Sequence, residues 1–171
     1  IAKIKGCRAV GIAGGADKCR YLTDELGFDE AIDYKAESVS DGLARACPDG
    51  IDVFFDNVGG ETLDAALARI NVGARVVICG AISQYNVTSA LYAPANYLNL
   101  LVRRSRMEGF IYLDSRAKWP GMLKDLAAWR ADGRLKCRDD IVEGGVEVFP
   151  QTLLRLFRGD NFGKLMIKMA D

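Results

Sequence analysis

The sequence contains no histidine among its 171 residues, and this absence is the first constraint on its chemistry. An imidazole base, a Ser-His or Cys-His nucleophile pair and a histidine metal ligand are excluded within these residues, and most hydrolase mechanisms with them. The sequence also lacks a CxxC pair, because its five cysteines are scattered at Cys7, Cys19, Cys47, Cys79 and Cys137. This spacing predicts reduced thiols and no metal site, rather than a disulfide framework or a zinc cluster.

Net charge and long hydrophobic runs are absent as well. The 23 Lys and Arg residues balance 23 Asp and Glu residues, so nothing in the charge predicts nucleic acid or an anionic membrane as a partner. No apolar run approaches the roughly 20 residues that cross a bilayer, and the first ten residues lack the core of a signal peptide. We therefore predict a cytoplasmic protein whose partners are small molecules or other subunits.

Short apolar runs alternate with amphipathic segments through the first two thirds of the chain. The runs predict strands at residues 7–13, 31–34, 51–55, 75–79 and 107–113. The segments between them predict helices at residues 17–26, 38–46, 61–70 and 97–103. This alternation is typical of βαβ units, so we predict an α/β fold with a doubly wound, Rossmann-like parallel sheet.

Glycines and polar residues follow the predicted strands where ligands bind in such a sheet, at the carboxyl ends. Gly14 and Gly15 follow the first strand, with Lys18 and Arg20 close behind, where an NAD-preferring domain places an acidic residue. A glycine leaves space and a cation pairs with a 2'-phosphate, so the pattern favours NADP(H). Alternatively, the two cations form a solvated helix face.

Two further strand ends have the same character. Residues 56–60 read DNVGG, whose small residues let backbone approach a ligand and leave the Asn57 amide free to bind it. Residues 79–85 read CGAISQY, with Ser83 and Tyr85 as polar contacts. Each loop alone is equally consistent with a simple strand-to-helix turn. Glycines at the same sheet edge after successive strands indicate a binding site.

Six segments together resemble the zinc-independent medium-chain dehydrogenase/reductase family, in its prostaglandin reductase and curcumin reductase branch. These segments are CRAVGIAGGADKC, AIDYK, DVFFDNVGGETLD, VVICGAISQYN, RMEGF and GDNFGK, and they extend along essentially the whole chain. The resemblance implies NADPH-dependent reduction of the carbon-carbon double bond of α,β-unsaturated ketones and aldehydes. The cofactor carries the hydride in such enzymes, and the protein positions the reactants.

The resemblance also implies roles for individual residues. Lys18 and Tyr34 would contact the 2'-phosphate side of the adenosine, beside Gly14 and Gly15, and Asn57 the middle of the cofactor. The other implied cofactor contacts are Cys79, Gly80, Ala81, Ile82, Ser83, Tyr85, Phe110, Ile111, Tyr112 and Asn161. The family's substrate-facing tyrosine is replaced here by Val102, so the proton donor stays open among Tyr85, a water and the cofactor ribose hydroxyl.

Family members carry a catalytic domain, a first strand and a glycine loop of the AxxGxxG kind before this region. Residues 1–5 look like the end of the helix that follows that loop. We therefore expect a portion of a longer polypeptide, with residues 1–115 an incomplete NADP-binding domain that lacks its central strand. Residues 116–171 are expected to be a tail that returns toward the catalytic domain.

Two expectations concern activity and assembly. The alternative to an enone reductase is a non-catalytic NADP(H)-binding module that senses redox state; a Rossmann-like methyltransferase fits the loops less well. The predicted strand at residues 107–113 is the last of the sheet, and an apolar strand left open is prone to pair with another chain. We therefore predict a homodimer formed through this strand.

Overall fold

The computed structural model describes residues 1–169, in which every paired strand is parallel to its neighbour. The strands are β1 (Val10–Ala13), β2 (Glu30–Asp33), β3 (Ile51–Asp56), β4 (Ile70–Ile78), β5 (Arg106–Gly109), β6 (Asp139–Val142) and β7 (Lys164–Ile167). The α-helices are α1 (Ala16–Arg20), α2 (Val39–Ala46), α3 (Gly60–Leu67), α4 (Asn99–Val102), α5 (Trp119–Ala131) and α6 (Phe149–Arg158). The predicted α/β fold with parallel strand pairing is confirmed.

The strands form three sheets, with the orders β1-β2, β3-β4-β5 and β6-β7. Within residues 1–169 no ladder joins β1 to β3. Both strands nevertheless border one buried cluster, in which Val10 of β1 and Ile51 of β3 pack with Ile32, Leu43 and Ala46. Because Leu43 and Ala46 belong to α2, this helix bridges the first two sheets.

A second buried cluster lies between α3 and β4. Leu63 and Leu67 of the helix pack on Ile70, Ala74 and Val76 of the strand, and Leu67 is completely buried. Alternate residues of a strand point to one face of its sheet, which explains the spacing of Ala74 and Val76. The cluster fixes α3 against the sheet, and α3 begins in the loop that follows β3.

Two predicted strands differ from the observed ones at their ends. The strand predicted at residues 7–13 begins only at Val10, since the Ala9 N–H donates to Asp29 Oδ2 at 2.6 Å rather than to a ladder. The strand predicted at residues 107–113 is wrong beyond Gly109. The Phe110 N–H still donates to the Ile78 carbonyl at 2.8 Å, but a 3₁₀ helix begins at Tyr112.

Strand β4 is longer than the sequence predicts, and helix α3 is correspondingly shorter than the predicted 61–70. Ile70 already pairs with Ile51, and the Ile51 N–H donates to the Arg69 carbonyl at 3.0 Å. The pairing register shifts after Ile51, because β4 contains extra residues there that include a turn at Gly73. The φ of 77° at Gly73 suits glycine. Ile70, predicted as the last residue of a helix, is therefore the first residue of a bulged strand.

In the tail the sequence pattern predicts helices near residues 119–131 and 149–157 and strands at 140–142 and 164–168, and each of these elements is observed. Helices α5 and α6 each carry a proline in the first turn, and α6 ends at Gly159, whose φ of 69° is left-handed. The tail lies against the first part of the chain through contacts at Lys18 and Tyr21. Among the helices of residues 1–169, none combines the length and apolarity that a membrane span requires.

Candidate functional site

The carboxyl ends of β1 and β2 meet around Gly14. A Cβ atom built on Gly14 would lie 2.7 Å from the Tyr34 hydroxyl oxygen, so a larger residue here would have to displace this ring. The Gly15 N–H donates to Asp33 Oδ1 at 2.8 Å, and its φ of 99° also favours glycine. Three of the residues predicted to hold the adenosine end of a cofactor therefore lie together.

Lys18 adds a cation to this group and connects it to the tail. Its Nζ donates to the Gly159 carbonyl at 2.5 Å, and a Cβ on Gly159 would lie 3.8 Å from the Tyr34 hydroxyl. Arg20 behaves differently, because it pairs with Asp17 on the exposed side of α1. The solvated-face alternative therefore describes Arg20, whereas Lys18 lies with Gly14 and Tyr34. We call these three residues with Gly15 the β1 cluster.

The segment that contains Asn161 lies, through aromatic contacts, on the π-helical turn Tyr21–Glu25 that follows α1. The rings of Tyr21 and Phe162 meet edge to face at 5.3 Å, and the Arg138 guanidinium lies 3.8 Å from the Phe162 centroid. The Phe162 N–H donates to Asp140 Oδ2 at 3.0 Å. Asn161 itself donates to the Gly163 carbonyl at 2.9 Å, so its amide stabilises its own turn.

A buried carboxylate that the sequence analysis did not single out shapes the loop after β3. Asp56 is 1% exposed, and its Oδ1 accepts the N–H groups of Val58 at 2.9 Å and Gly59 at 3.0 Å. Its carbonyl accepts the N–H of Cys79 at 2.8 Å. An aspartate that bonds backbone two residues ahead makes an Asx turn, so the D-x-x-G spacing was the available signal.

The loop after β4 lies on the loop after β3. The Asn57 carbonyl accepts the Ile82 N–H at 3.0 Å, and Ser83 Oγ donates to the Val58 carbonyl at 2.6 Å. The Tyr85 hydroxyl accepts the Ala81 N–H at 3.2 Å. A second group, the β3–β4 cluster, thus unites the predicted residues Asn57, Cys79, Gly80, Ala81, Ile82, Ser83 and Tyr85. Tyr85 is 63% exposed, so its hydroxyl is accessible.

The three residues predicted to flank the nicotinamide do not form one group. Phe110 lies next to the β3–β4 cluster through its bond to Ile78, and its ring is 6.5 Å from that of Phe55. Tyr112 instead stacks on Trp119 at 5.6 Å. Ile111, between them, is exposed. Phe110 is therefore the member of this trio that lies next to the β3–β4 cluster, through its contacts with Ile78 and Phe55.

Asp64 of α3 is a second buried carboxylate that the sequence analysis did not identify. It is 7% exposed; its Oδ2 accepts the Tyr92 hydroxyl at 3.0 Å, and its Oδ1 accepts the Asn96 N–H at 2.7 Å. Burial acts to raise the pKa of Asp64, but the hydrogen bonds from Asn96, Tyr92 and Ala95 outweigh it, and the pKa lies below its ordinary value. The Asp64 hydrogen bond in turn raises the pKa of Tyr92.

The two clusters together offer glycine-lined backbone, a lysine that pairs with no carboxylate within residues 1–169, and an exposed tyrosine. In residues 1–169 no three His, Cys, Asp or Glu side chains are grouped to hold a metal ion. The arrangement is suited to positioning a bound molecule.

Comparison with known proteins finds relatives over the length of the chain. The sequence model of the family described as zinc-binding dehydrogenase matches residues 1–128. The chain is 40% identical over 175 residues to the NADPH-dependent curcumin reductase of Escherichia coli, with 99% of this chain and 50% of that protein covered. It is 42% identical to prostaglandin reductase 1 of Oryctolagus cuniculus, with 96% and 47% covered.

A solved structure is similar over the same extent. The crystal structure of CurA from Vibrio vulnificus in complex with NADPH superimposes with a TM-score of 0.92 at 41% identity. The match covers 99% of this chain and 51% of that one. The chain thus spans about half the length of the relatives that it matches.

Proposed function

The chain belongs to the zinc-binding dehydrogenase family, and from this premise we propose that it is the NADP(H)-binding part of an enone and enal reductase. The proposed reaction is the NADPH-dependent reduction of the carbon-carbon double bond in α,β-unsaturated ketones and aldehydes. The observation that carries the proposal is the similarity to NADPH-bound CurA over 99% of the chain. The β1 cluster of this chain supports it, because its glycines lie beside Tyr34.

The residues present fit the cofactor. Lys18 would pair with the 2'-phosphate, Tyr34 would lie beside the adenosine, and Gly14 and Gly15 leave room for both. Asn57, Ser83 and Tyr85 would line its path, with Phe110 beside them and Asn161 reaching it from the tail. Bound there, NADPH would supply the hydride. The proposal assigns no metal, since the donor set lacks histidine and the five cysteines are dispersed.

In this proposal the chain's own residues orient the reactants and exclude water. Tyr85 is the candidate proton donor, because its hydroxyl is exposed and held by the Ala81 N–H at 3.2 Å. Since that N–H donates to the phenolic oxygen, the phenolic hydrogen is left free to be given to a substrate enolate. A water and the cofactor ribose hydroxyl are the other candidates.

The experiment is an assay of the complete natural polypeptide with NADPH and a panel of enones and enals. We expect NADPH oxidation with unsaturated substrates, little with the corresponding saturated ketones, and a strong preference for NADPH over NADH. Lys18→Ala is expected to reduce this preference, with Arg20→Ala as the matched control. Binding of NADPH without turnover of any substrate would instead favour a redox-sensing module and refute the reductase.

We also propose a homodimer formed at the outer edge of β5. Its support is that β5 is the last strand of its sheet, while Ile111 and Tyr112 just beyond it are 61% and 59% exposed. Light scattering of the complete polypeptide is expected to give a dimer, and Ile111→Asp to weaken it. Leu91→Asp, at a similarly exposed apolar residue in a different loop, is the control; a monomeric wild type would refute the dimer.

A cytoplasmic location and two domains complete the proposal. The tail from residue 116 is proposed to belong to a second domain, since α6 and β6 leave apolar side chains uncovered. Phe149, Ile141 and Phe157 are each more than half exposed, an arrangement that another part of a longer polypeptide would bury.

A further inference from the structure

The loop between β4 and α4 contacts the core of the protein at two places. Its first half, the 3₁₀ helix Ile82–Gln84, lies on the loop after β3 through the two hydrogen bonds of Ser83 to the Val58 carbonyl. Its second half lies on α3, where Asp64 accepts hydrogen bonds from Tyr92 and Asn96. The intervening residues 85–91 are all exposed, and the Tyr85 hydroxyl accepts the Ala81 N–H.

A glutamine joins the two halves. Gln84 Oε1 accepts the Tyr92 N–H at 2.8 Å, and Gln84 Nε2 donates to Ser83 Oγ at 3.0 Å. A continuous chain of hydrogen bonds therefore runs from the Asp64 carboxylate through Tyr92 and Gln84 to Ser83. Ser83 and Tyr85 are residues of the β3–β4 cluster, whereas Asp64 and Tyr92 lie outside it.

The contact between Asp64 and the loop, which we call the anchor, consists of several hydrogen bonds. Asp64 is almost completely buried and its carboxylate accepts a phenolic O–H and a backbone N–H, while its main-chain carbonyl accepts Asn96 Nδ2 at 3.3 Å. Hydrogen bonds to an ionised carboxylate are stronger than neutral ones, and removing a donor leaves a buried charge less well satisfied. The conformation of the loop thus depends on the contact that Tyr92 and Asn96 make with Asp64 of α3.

We propose that Asp64 and Tyr92 are positioning residues that hold the 82–92 segment in place, and with it Ser83 and Tyr85 of the cofactor site. The proposal rests on the proposed function, because it assigns the loop a part in binding NADPH. Neither residue touches the cofactor site directly, so both act through Gln84 and Ser83. Loss of the anchor leaves the loop less ordered in the free protein, and bound cofactor must then order it.

The test compares Tyr92→Phe with Tyr97→Phe in the complete natural polypeptide. Both changes remove the hydroxyl of a partly exposed tyrosine, but no hydrogen bond of the Tyr97 hydroxyl occurs within residues 1–169. Tyr92→Phe is expected to speed amide hydrogen exchange in residues 85–92 and to weaken NADPH binding about 3- to 10-fold, as the loss of one such hydrogen bond predicts. The KM for NADPH should rise while kcat changes little.

Each outcome decides one question. Unchanged exchange in Tyr92→Phe overturns the anchor itself, and faster exchange with unchanged NADPH affinity overturns the positioning role. Asp64→Asn, which keeps an acceptor for the Asn96 N–H, is a second variant and should act in the same direction. If the wild type fails to bind NADPH, the proposed function falls and the positioning role falls with it, whereas the exchange experiment still tests the anchor.

Discussion

Gly14 shows how a single absent side chain creates part of the site. A Cβ atom on Gly14 would lie 2.7 Å from the Tyr34 hydroxyl oxygen, closer than van der Waals contact allows. We expect Gly14→Ala to displace the tyrosine ring from the adenosine site and weaken NADPH binding about tenfold, because the new Cβ would lie within 3.0 Å of three Tyr34 atoms. Gly121→Ala in α5 is the control, since nothing lies within 4 Å of its Cβ position. Equal affinities in a fluorescence titration of both variants would contradict this reading.

Asp56 is the residue whose loss should cost the most stability. Asp56→Ala would leave the N–H groups of Val58 and Gly59 without their acceptor in a buried turn. We expect a loss of about 2–4 kcal/mol in the free energy of unfolding, measured by urea denaturation. Asp125→Ala, at an exposed position on α5, should change it by less than about 0.5 kcal/mol. A small effect at Asp56 would mean that the turn forms without its carboxylate.

Sequence patterns reveal such residues unevenly. The grouping of Gly14, Gly15 and Lys18 could be predicted from the sequence, because ligand-binding residues of a parallel sheet lie just after its strands. Asp64 was not, since its partners Tyr92 and Asn96 lie 28 and 32 residues away and no local pattern links them. The motif predicts that Tyr112 lies with Phe110, whereas in the structure the Tyr112 ring stacks on Trp119.

At the scale of elements, the contact between α3 and the following loop should depend on pH. Because hydrogen bonds hold the pKa of Asp64 below its ordinary value, its carboxylate stabilises the fold above that value. The contribution is lost as the pH falls through the lowered pKa, which places the loss below about pH 4. Glu61 and Tyr92 are the titratable neighbours, and Tyr92 is uncharged throughout this range.

Asp64→Asn should therefore lower the melting temperature at pH 7 and lose much of that difference near pH 3. Thermal unfolding of the wild type and the variant at both pH values measures it, with Asp125→Asn as the control. A difference that is equally large at both pH values would show that the charge of Asp64 contributes nothing.

Element boundaries were less predictable than element types. The apolar run at residues 107–113 has the composition of a strand, but the pairing partner β4 ends at Ile78, opposite Gly109. Beyond that point the ladder continues for one hydrogen bond, from Phe110, before the chain turns toward Trp119. The length of a strand depends on the length of its neighbour in the sheet. The sequence of one strand alone therefore does not predict where it ends.

For the whole molecule, the open edges of β1 and β3 are the largest departure from a closed α/β sheet. Both strands border the cluster around Leu43, yet no ladder joins them within the part of the chain described. We propose that a further parallel strand of the complete polypeptide pairs with both edges, since unpaired backbone groups in a buried sheet are costly.

The 171-residue chain expressed alone is therefore expected to unfold at a lower temperature and with less cooperativity than the complete polypeptide. It should also bind NADPH more weakly. Calorimetry and a fluorescence titration of both proteins measure the two differences. A soluble 171-residue chain that unfolds in one sharp transition, as stable as the complete protein, would refute the additional strand.

The separation of the first two sheets also bears on the order of folding. Within β1-β2 and within β3-β4, the paired strands are near in sequence, as Val10 with Glu30 and Phe54 with Val76 show, so each ladder closes only a short loop. The contact between Lys18 and Gly159 joins residues 141 apart and carries a far larger entropic cost. The two ladders are thus expected to form early and independently, and the arrival of the tail on α1 to be the late, slow event that completes the lysine end of the site.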